Sequence, residues 1–256
     1  MDGLAFAWPR KFDVFGVDIS ATTYDEAQAV ILSAAKARKS ATVTHLSSHG
    51  LTMAARDEKF RKVVNSFDIA APDGQPVRWS LKWFHKQLLP DRCYGPELMI
   101  RLCRAAAKEG VSVYLYGSSP DVLDLLSQKL KEDCSGLVIA GMESPPFRQL
   151  TPQETDEAIR RINDSRAGLV FIGLGCPRQD WFAYEHKQKI QGVQLCVGAA
   201  FDFHAGNKKM APRWMQRHGL EWFFRLTQEP TRLWKRYFVI HTTFAFLLTR
   251  RMILGR

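Results

Sequence analysis

The sequence predicts an α/β fold: a mostly parallel sheet flanked by helices, followed by a basic helical C-terminal appendage. Three observations predict it. Short β-rich runs alternate with helix-patterned stretches as far as Asp202, the signature of a parallel sheet covered by helices. Glycine-containing turns follow several of those runs and lead into helix starts. Past Asp202 the pattern changes to aromatic and basic residues at helical spacing, including Trp214, Trp222, Phe223, Phe224, Trp234, Tyr237 and Phe238.

In chain order, a hairpin is expected around Phe12 to Val17. Thr23-Tyr24-Asp25-Glu26 has the form of a capping box and opens a helix to Ala37. Ala41 to Thr44 reads as a strand, Leu51 to Val64 as one helix, and Asp68 to Ala71 as a strand that ends at Pro72-Asp73-Gly74. Pro96 to Lys108 is a helix stopped by Gly110. Val111 to Tyr116 is a strand, and Gly117-Ser118-Ser119 turns into a helix with Pro120 at its first position. Leu137 to Ala140 is a strand. Thr151-Pro152-Gln153-Glu154 is a second capping box, whose helix runs to Asn163. Leu169 to Leu174 is an apolar strand, Gly175-Cys176-Pro177 opens another helix, and Val193 to Val197 is the last strand. A boundary near Gly206 divides the α/β domain, 1–206, from an appendage, 207–256.

Composition narrows the function classes. The net charge is +10, and from Lys208 onward eleven Lys and Arg residues face only Glu221 and Glu229, a local balance of +9. A segment with that asymmetry suits phosphates or anionic lipid headgroups. Rings and cations mixed after Leu233 fit an interfacial helix, whereas Trp214 and Trp222 suit packing against the core at least as well. Nucleic acid is possible on charge alone, yet no reader motif is present, and no nucleic-acid partner is expected. The five cysteines are scattered, without a C-x-x-C pair, which disfavours zinc or a disulfide framework and fits reduced thiols in the cytoplasm. Met1 to Pro9 lacks the basic start and apolar run of a signal peptide. Phe238 to Thr249 falls short of the ~20 apolar residues that a membrane span needs. A dinucleotide-binding oxidoreductase would want G-x-G-x-x-G after a strand, and none occurs.

In open parallel sheets, ligands bind beyond the carboxyl ends of the strands. That rule selects four turns: Thr44 to His49, Pro72-Asp73-Gly74, Gly117-Ser118-Ser119 and Gly175 to Gln179. Gly117 and Ser118 offer a generic phosphate seat at a helix start, although the same residues also serve merely to cap a helix. Asp73 suits a general base and equally an Asx-turn. Arg92, Arg178 and Gln179 suit a diphosphate leaving group or sugar hydroxyls, and surface arginines are also commonly just solvated. A non-catalytic nucleotide-binding module would keep the Gly117 turn and have no need of Asp73 or Arg92.

Taken in order, several stretches resemble the WecG/TagA/CpsF family of bacterial glycosyltransferases. They are Pro72 to Val77, Asp91 to Leu98, Gly173 to Gln179, Gly198 to Phe203 with Ala205-Gly206, Ala211 to Gln216, Gly219 to Trp222 and Gln228 to Trp234. The likeness runs from Phe12 to Tyr237. It implies a Rossmann-like fold and an inverting, metal-independent transfer, needing no cofactor, from a UDP-sugar to an undecaprenyl-diphosphate-linked sugar in surface polysaccharide synthesis. It implies a peripheral enzyme at the cytoplasmic face of the plasma membrane, with the appendage engaging an anionic membrane surface and covering the active site. By position it makes Asp73 the base, Thr44 and Gln179 substrate contacts, Arg92 an active-site arginine, and Arg225 and Arg232 appendage arginines near the diphosphate. Asp202 lies in the matching Gly198 to Phe203 stretch and is taken as a further substrate contact.

Three departures stand out: Thr44-His45-Leu46 replaces a common Thr-Pro-Asn, His204 replaces an apolar residue, and Lys235 replaces an arginine. Without the amide at position 46, the expected donor sugar is a hexose such as glucose, as in xanthan-assembly members. N-acetylmannosamine or its uronic acid is the alternative.

Overall fold

The computed structural model describes residues 7–254, so Met1 to Phe6 of the N-terminal stretch, and residues 255–256, lie outside the described residues. The chain opens with β1 (Lys11–Val14) and β2 (Val17–Ser20), an antiparallel hairpin. Its two-residue turn, Phe15-Gly16, has both φ angles positive, at 60° and 83°, which matches the twist of paired strands. There follow α1 (Tyr24–Lys36), β3 (Ala41–Leu46), α2 (Ser48–Arg56), α3 (Glu58–Asn65), β4 (Ile69–Pro72), α4 (Gln75–His85) and α5 (Gly95–Glu109). Next come β5 (Val113–Gly117), α6 (Pro120–Asp133), β6 (Ile139–Glu143), α7 (Pro152–Asp164), β7 (Leu169–Gly173), α8 (Arg178–Glu185), β8 (Val193–Cys196) and α9 (Ala200–His204). The chain after Gly206 supplies α10 (Arg213–Arg217), α11 (Glu221–Gln228) and α12 (Pro230–Leu254).

Strands β3 to β8 form one parallel sheet in the order β4-β3-β8-β7-β5-β6. The expected α/β, Rossmann-like architecture is therefore present. Side chains alternate across the sheet: Val43, Ala71, Leu115, Phe171 and Leu195 pack with α1, α5, α6 and α9. Ala70, Tyr116, Ile172 and Cys196 pack on the other face with α2, α3, α4, α7, α8 and the hairpin. After β3 the chain turns to α2 on this second face, and after neighbouring β8 it turns to α9 on the first. The two connections part at the carboxyl ends of adjacent strands, which opens a crevice there.

Both capping boxes are formed, with the Thr23 and Thr151 hydroxyls accepting from the Glu26 and Glu154 amides and each glutamate answering the cap amide. Three expectations need correction. The stretch from Leu51 to Val64 is two helices, because the Asp57 side chain accepts from the Lys59 and Phe60 amides and caps a new helix start. The strand expected at Leu137 to Ala140 begins at Ile139 and reaches Glu143. Helix α4, which directly follows Asp73-Gly74, was not anticipated.

The last helix is a strap along the second face of the body. Leu233 and Ile240 are buried, Phe244 meets Phe15 edge-on at 5.7 Å, and Arg251 pairs with Asp13 at 3.0 Å. Its outward side exposes Trp234, Phe238, Phe246 and Ile253. Trp214 is 59% exposed, so it does not pack in the core, while Trp222 packs on α12 against Tyr237 and His241. Among the described residues, no helix is long and apolar enough to cross a membrane.

Candidate active site

The residues around Asp73 are assembled from three separate segments. β4 ends at Pro72, and the Asp73 amide donates back to the Leu46 carbonyl at the end of β3 (3.1 Å). The Cys93 amide donates to the Pro72 carbonyl (2.9 Å), which lays the 91–95 segment across the same strand end. Asp73 thus precedes α4, and α5 begins beside it: the Gly95 amide donates to Asp73 Oδ2 at 3.3 Å. Gly95 packs closely on this group. A Cβ there would lie 3.2 Å from the His45 ring and 3.6 Å from Asp73 Oδ2.

Burial pushes the Asp73 carboxyl above the ordinary carboxylate range; the charges of Arg92 and His45 oppose the shift, and Glu221 adds to it. A carboxyl so placed is a better proton acceptor than a solvated one. Arg92 is buried, with its guanidinium over the Tyr94 ring at 4.1 Å and Nη1 3.9 Å from Asp73 Oδ1. His45 turns its Nδ1–H to the Cys196 carbonyl (3.2 Å), and burial holds the ring's pKa down.

Across β3 lies a second polar group. Thr44 is buried and donates to Asp180 Oδ1 at 2.5 Å, which leaves its oxygen lone pairs to accept from a ligand. Gln179 is buried at the start of α8; its Oε1 accepts from the Gly175 amide at 3.1 Å and stands against Gly198, just after β8. Burial lifts Asp180 to about 6, with the Thr44 hydroxyl opposing. Leu46 is fully buried against α2, so position 46 presents no polar group to the crevice.

The appendage reaches this centre through Glu221, a residue that strand-end reasoning did not single out. Glu221 accepts from Arg92 Nη2 (2.7 Å) and from the Tyr94 hydroxyl (3.1 Å), and forms an ion pair with Arg225 (3.0 Å). Gln216 of α10 takes a further bond from Arg92 (3.2 Å). Arg225 lies over the Phe203 ring at 5.1 Å, and the charges of Glu221 and, more weakly, Asp73 favour its protonated form. The structure therefore brings Asp73, Arg92 and Arg225 together, with Thr44 and Gln179 at the neighbouring strand ends.

Other predicted residues are engaged elsewhere. Arg178 is exposed and donates to the Phe147 carbonyl (3.1 Å). Asp202 holds Asn207 (3.0 Å) and Lys208 (3.5 Å). Arg232 is mostly exposed and pairs with Glu229, three residues before it. Gly117 serves strand packing, because a Cβ there would stand 2.7 Å from the Gly173 carbonyl carbon. The Ser118 carbonyl accepts from Ser144 (2.6 Å), and Ser119 caps α6. His204 bonds the Pro96 carbonyl (2.8 Å), and Lys235 lies beside the Trp234 ring. Among the described residues, no group of three His, Cys, Asp or Glu side chains is placed to hold a metal ion.

Known proteins resemble this chain over most of its length. The profile described as "Glycosyl transferase WecG/TagA/CpsF family" matches residues 12–256. An N-acetylglucosaminyldiphosphoundecaprenol N-acetyl-beta-D-mannosaminyltransferase from Bacillus subtilis (strain 168) is 30% identical over 184 residues, 72% of this chain and 69% of the relative. The protein of the same description from Bacillus spizizenii (strain ATCC 23059 / NRRL B-14472 / W23) matches with the same identity and coverage. Both relatives are named for N-acetylmannosamine transfer, which agrees with the alternative donor and not with glucose. The chain is a member of the WecG/TagA/CpsF family of glycosyltransferases.

Proposed function

We propose that this protein transfers one sugar from a UDP-sugar to an undecaprenyl-diphosphate-linked N-acetylglucosamine, with inversion, at an anionic membrane surface on the cytoplasmic side. The observation that carries the proposal is Asp73: a carboxyl made more basic by burial, at a strand-end crevice, with Arg92 and Arg225 close by. The acceptor hydroxyl oxygen attacks the anomeric carbon, and its proton passes to Asp73. The bond from that carbon to the diphosphate oxygen breaks, and its electron pair leaves with UDP. Arg225 and Arg92 stabilise the negative charge that grows on the leaving oxygens, at positions fixed before reaction. Thr44 and Gln179 supply polar contacts for the sugar.

The relatives' names favour N-acetylmannosamine as the donor sugar. Leu46 no longer argues for glucose, since its side chain is packed into the core. The test is a panel of UDP-N-acetylmannosamine, its uronic acid and UDP-glucose, each with a short-chain prenyl-diphosphate N-acetylglucosamine. Acceptor-dependent UDP release, fastest with UDP-N-acetylmannosamine, is expected. Binding of UDP-sugars without any acceptor-dependent release would instead indicate a non-catalytic nucleotide-binding module.

A further inference from the structure

The Arg92 guanidinium has two carboxylates within reach and is bonded to only one. Its Nη2 lies 2.7 Å from Glu221 Oε2, whereas its Nη1 stays 3.9 Å from Asp73 Oδ1, beyond hydrogen-bond distance. All three side chains are largely withdrawn from solvent, with exposures of 7%, 14% and 17% for Arg92, Glu221 and Asp73, so solvent screens the competition little. Glu221 is itself fixed by Tyr94 and Arg225. The second acceptor on Arg92, Gln216, also belongs to the appendage. A carboxylate in direct contact with an arginine loses ~1–3 units of basicity. Asp73 is spared that contact while Arg92 is held elsewhere.

We propose that Glu221 is a positioning residue: with the appendage docked, it draws the Arg92 guanidinium off Asp73 and leaves that carboxylate free to take the acceptor's proton. When the appendage lifts, Arg92 loses both appendage partners and closes on Asp73, so base action is confined to the covered site. The inference rests on Asp73 being the base.

Besides Arg92, the groups facing Asp73 are His45 from β3, Tyr24 from α1, Cys93 and Tyr94 from the segment before α5, and Glu221 and Arg225 from α11. Of these, Glu221 is the group that both bonds Arg92 and carries a negative charge. Removing its charge therefore acts on Asp73 in one direction by two routes, freeing Arg92 and taking away a nearby anion.

The experiment is the pH profile of kcat/KM for acceptor-dependent UDP release by the full chain, in wild type, Glu221→Gln and Glu221→Asp. Glutamine keeps an acceptor for Arg92 and Tyr94 but not the charge, whereas aspartate keeps the charge. Glu221→Gln is expected to move the acid limb down by about one pH unit and to lower the plateau several-fold, and Glu221→Asp to bring the limb back. An acid limb in Glu221→Gln that coincides with wild type overturns the proposal, whatever its plateau. If Glu221→Gln melts early, Glu221→Met, which keeps the side chain's length and removes both acceptor and charge, is assayed below its melting temperature and should shift the limb the same way; no shift there is equally fatal. Asp73→Asn separates this inference from the reading beneath it. A fully active Asp73→Asn removes the base itself, whereas an inactive one combined with an unmoved Glu221→Gln limb removes only the role of Glu221.

Discussion

Asp180 shows how a polar residue beneath the crevice trades stability for order. It is almost fully buried, orients Thr44 through a 2.5 Å hydrogen bond, and has its carboxyl lifted by burial to about 6. Because the folded-state value lies above that of an unfolded aspartate, the folded chain binds this proton more readily. The associated stability is present in full at low pH and is lost as pH rises through about 6. Above that range the ionised group costs about 3 kcal/mol at most. Asp180→Asn should therefore melt later than wild type at pH 8, with the gap shrinking towards pH 5; a gap that does not change with pH would contradict this account.

At the same scale, Asp73, Arg92, Thr44 and Gln179 were legible because each sits in or beside a contiguous strand-end motif. Glu221 was not, since its partners Arg92 and Tyr94 lie 129 and 127 residues earlier in the chain. No local pattern announces a carboxylate that works on an arginine from another element. Arg178 and Arg232 lie in motifs of the same kind, yet their side chains turn to the Phe147 carbonyl and to Glu229, as a motif gives an arginine's place and not the direction of its side chain.

At the scale of elements, the strand ends approach closely enough to need glycine. A Cβ on Gly173 would stand 2.6 Å from the ring of Phe201, which is fully buried and cannot swing away. Gly173→Ala should cost ~1–3 kcal/mol as an overpacked core, seen as a lower urea midpoint with an unchanged m-value. An unchanged midpoint would show that α9 yields freely. Elements with a local start signal were readable, above all the two capping boxes. Helix α4 was hidden because Pro72-Asp73-Gly74 reads as a turn, and its far end closes on Lys86 with φ 56° where a glycine stop would have been visible. The break at Asp57 was overlooked because apolar periodicity runs straight through it, although Asp57 followed by the Lys59 and Phe60 amides is a local cap.

For the whole molecule, almost all of the excess charge is on the segment that both caps the site and presents rings outward. One side of α12 is committed to the body through Leu233, Ile240 and Phe244, so the exposed Trp234, Phe238 and Phe246 are the rings that the proposed membrane contact would use. Cations beside them add ~1 kcal/mol each near anionic headgroups. Replacing Trp234, Phe238 and Phe246 together by Ala should weaken co-sedimentation with anionic vesicles more than tenfold and leave the melting temperature unchanged. Undiminished vesicle binding would contradict a membrane contact through these rings.

The central claim is that Asp73 removes the acceptor's proton. The direct measurement is turnover of Asp73→Asn, a substitution that keeps the shape and an acceptor for the Gly95 amide, with UDP-sugar and lipid acceptor both saturating. A fall of ~10²–10⁴-fold in a variant that melts like wild type is predicted. Turnover at the wild-type rate would contradict it.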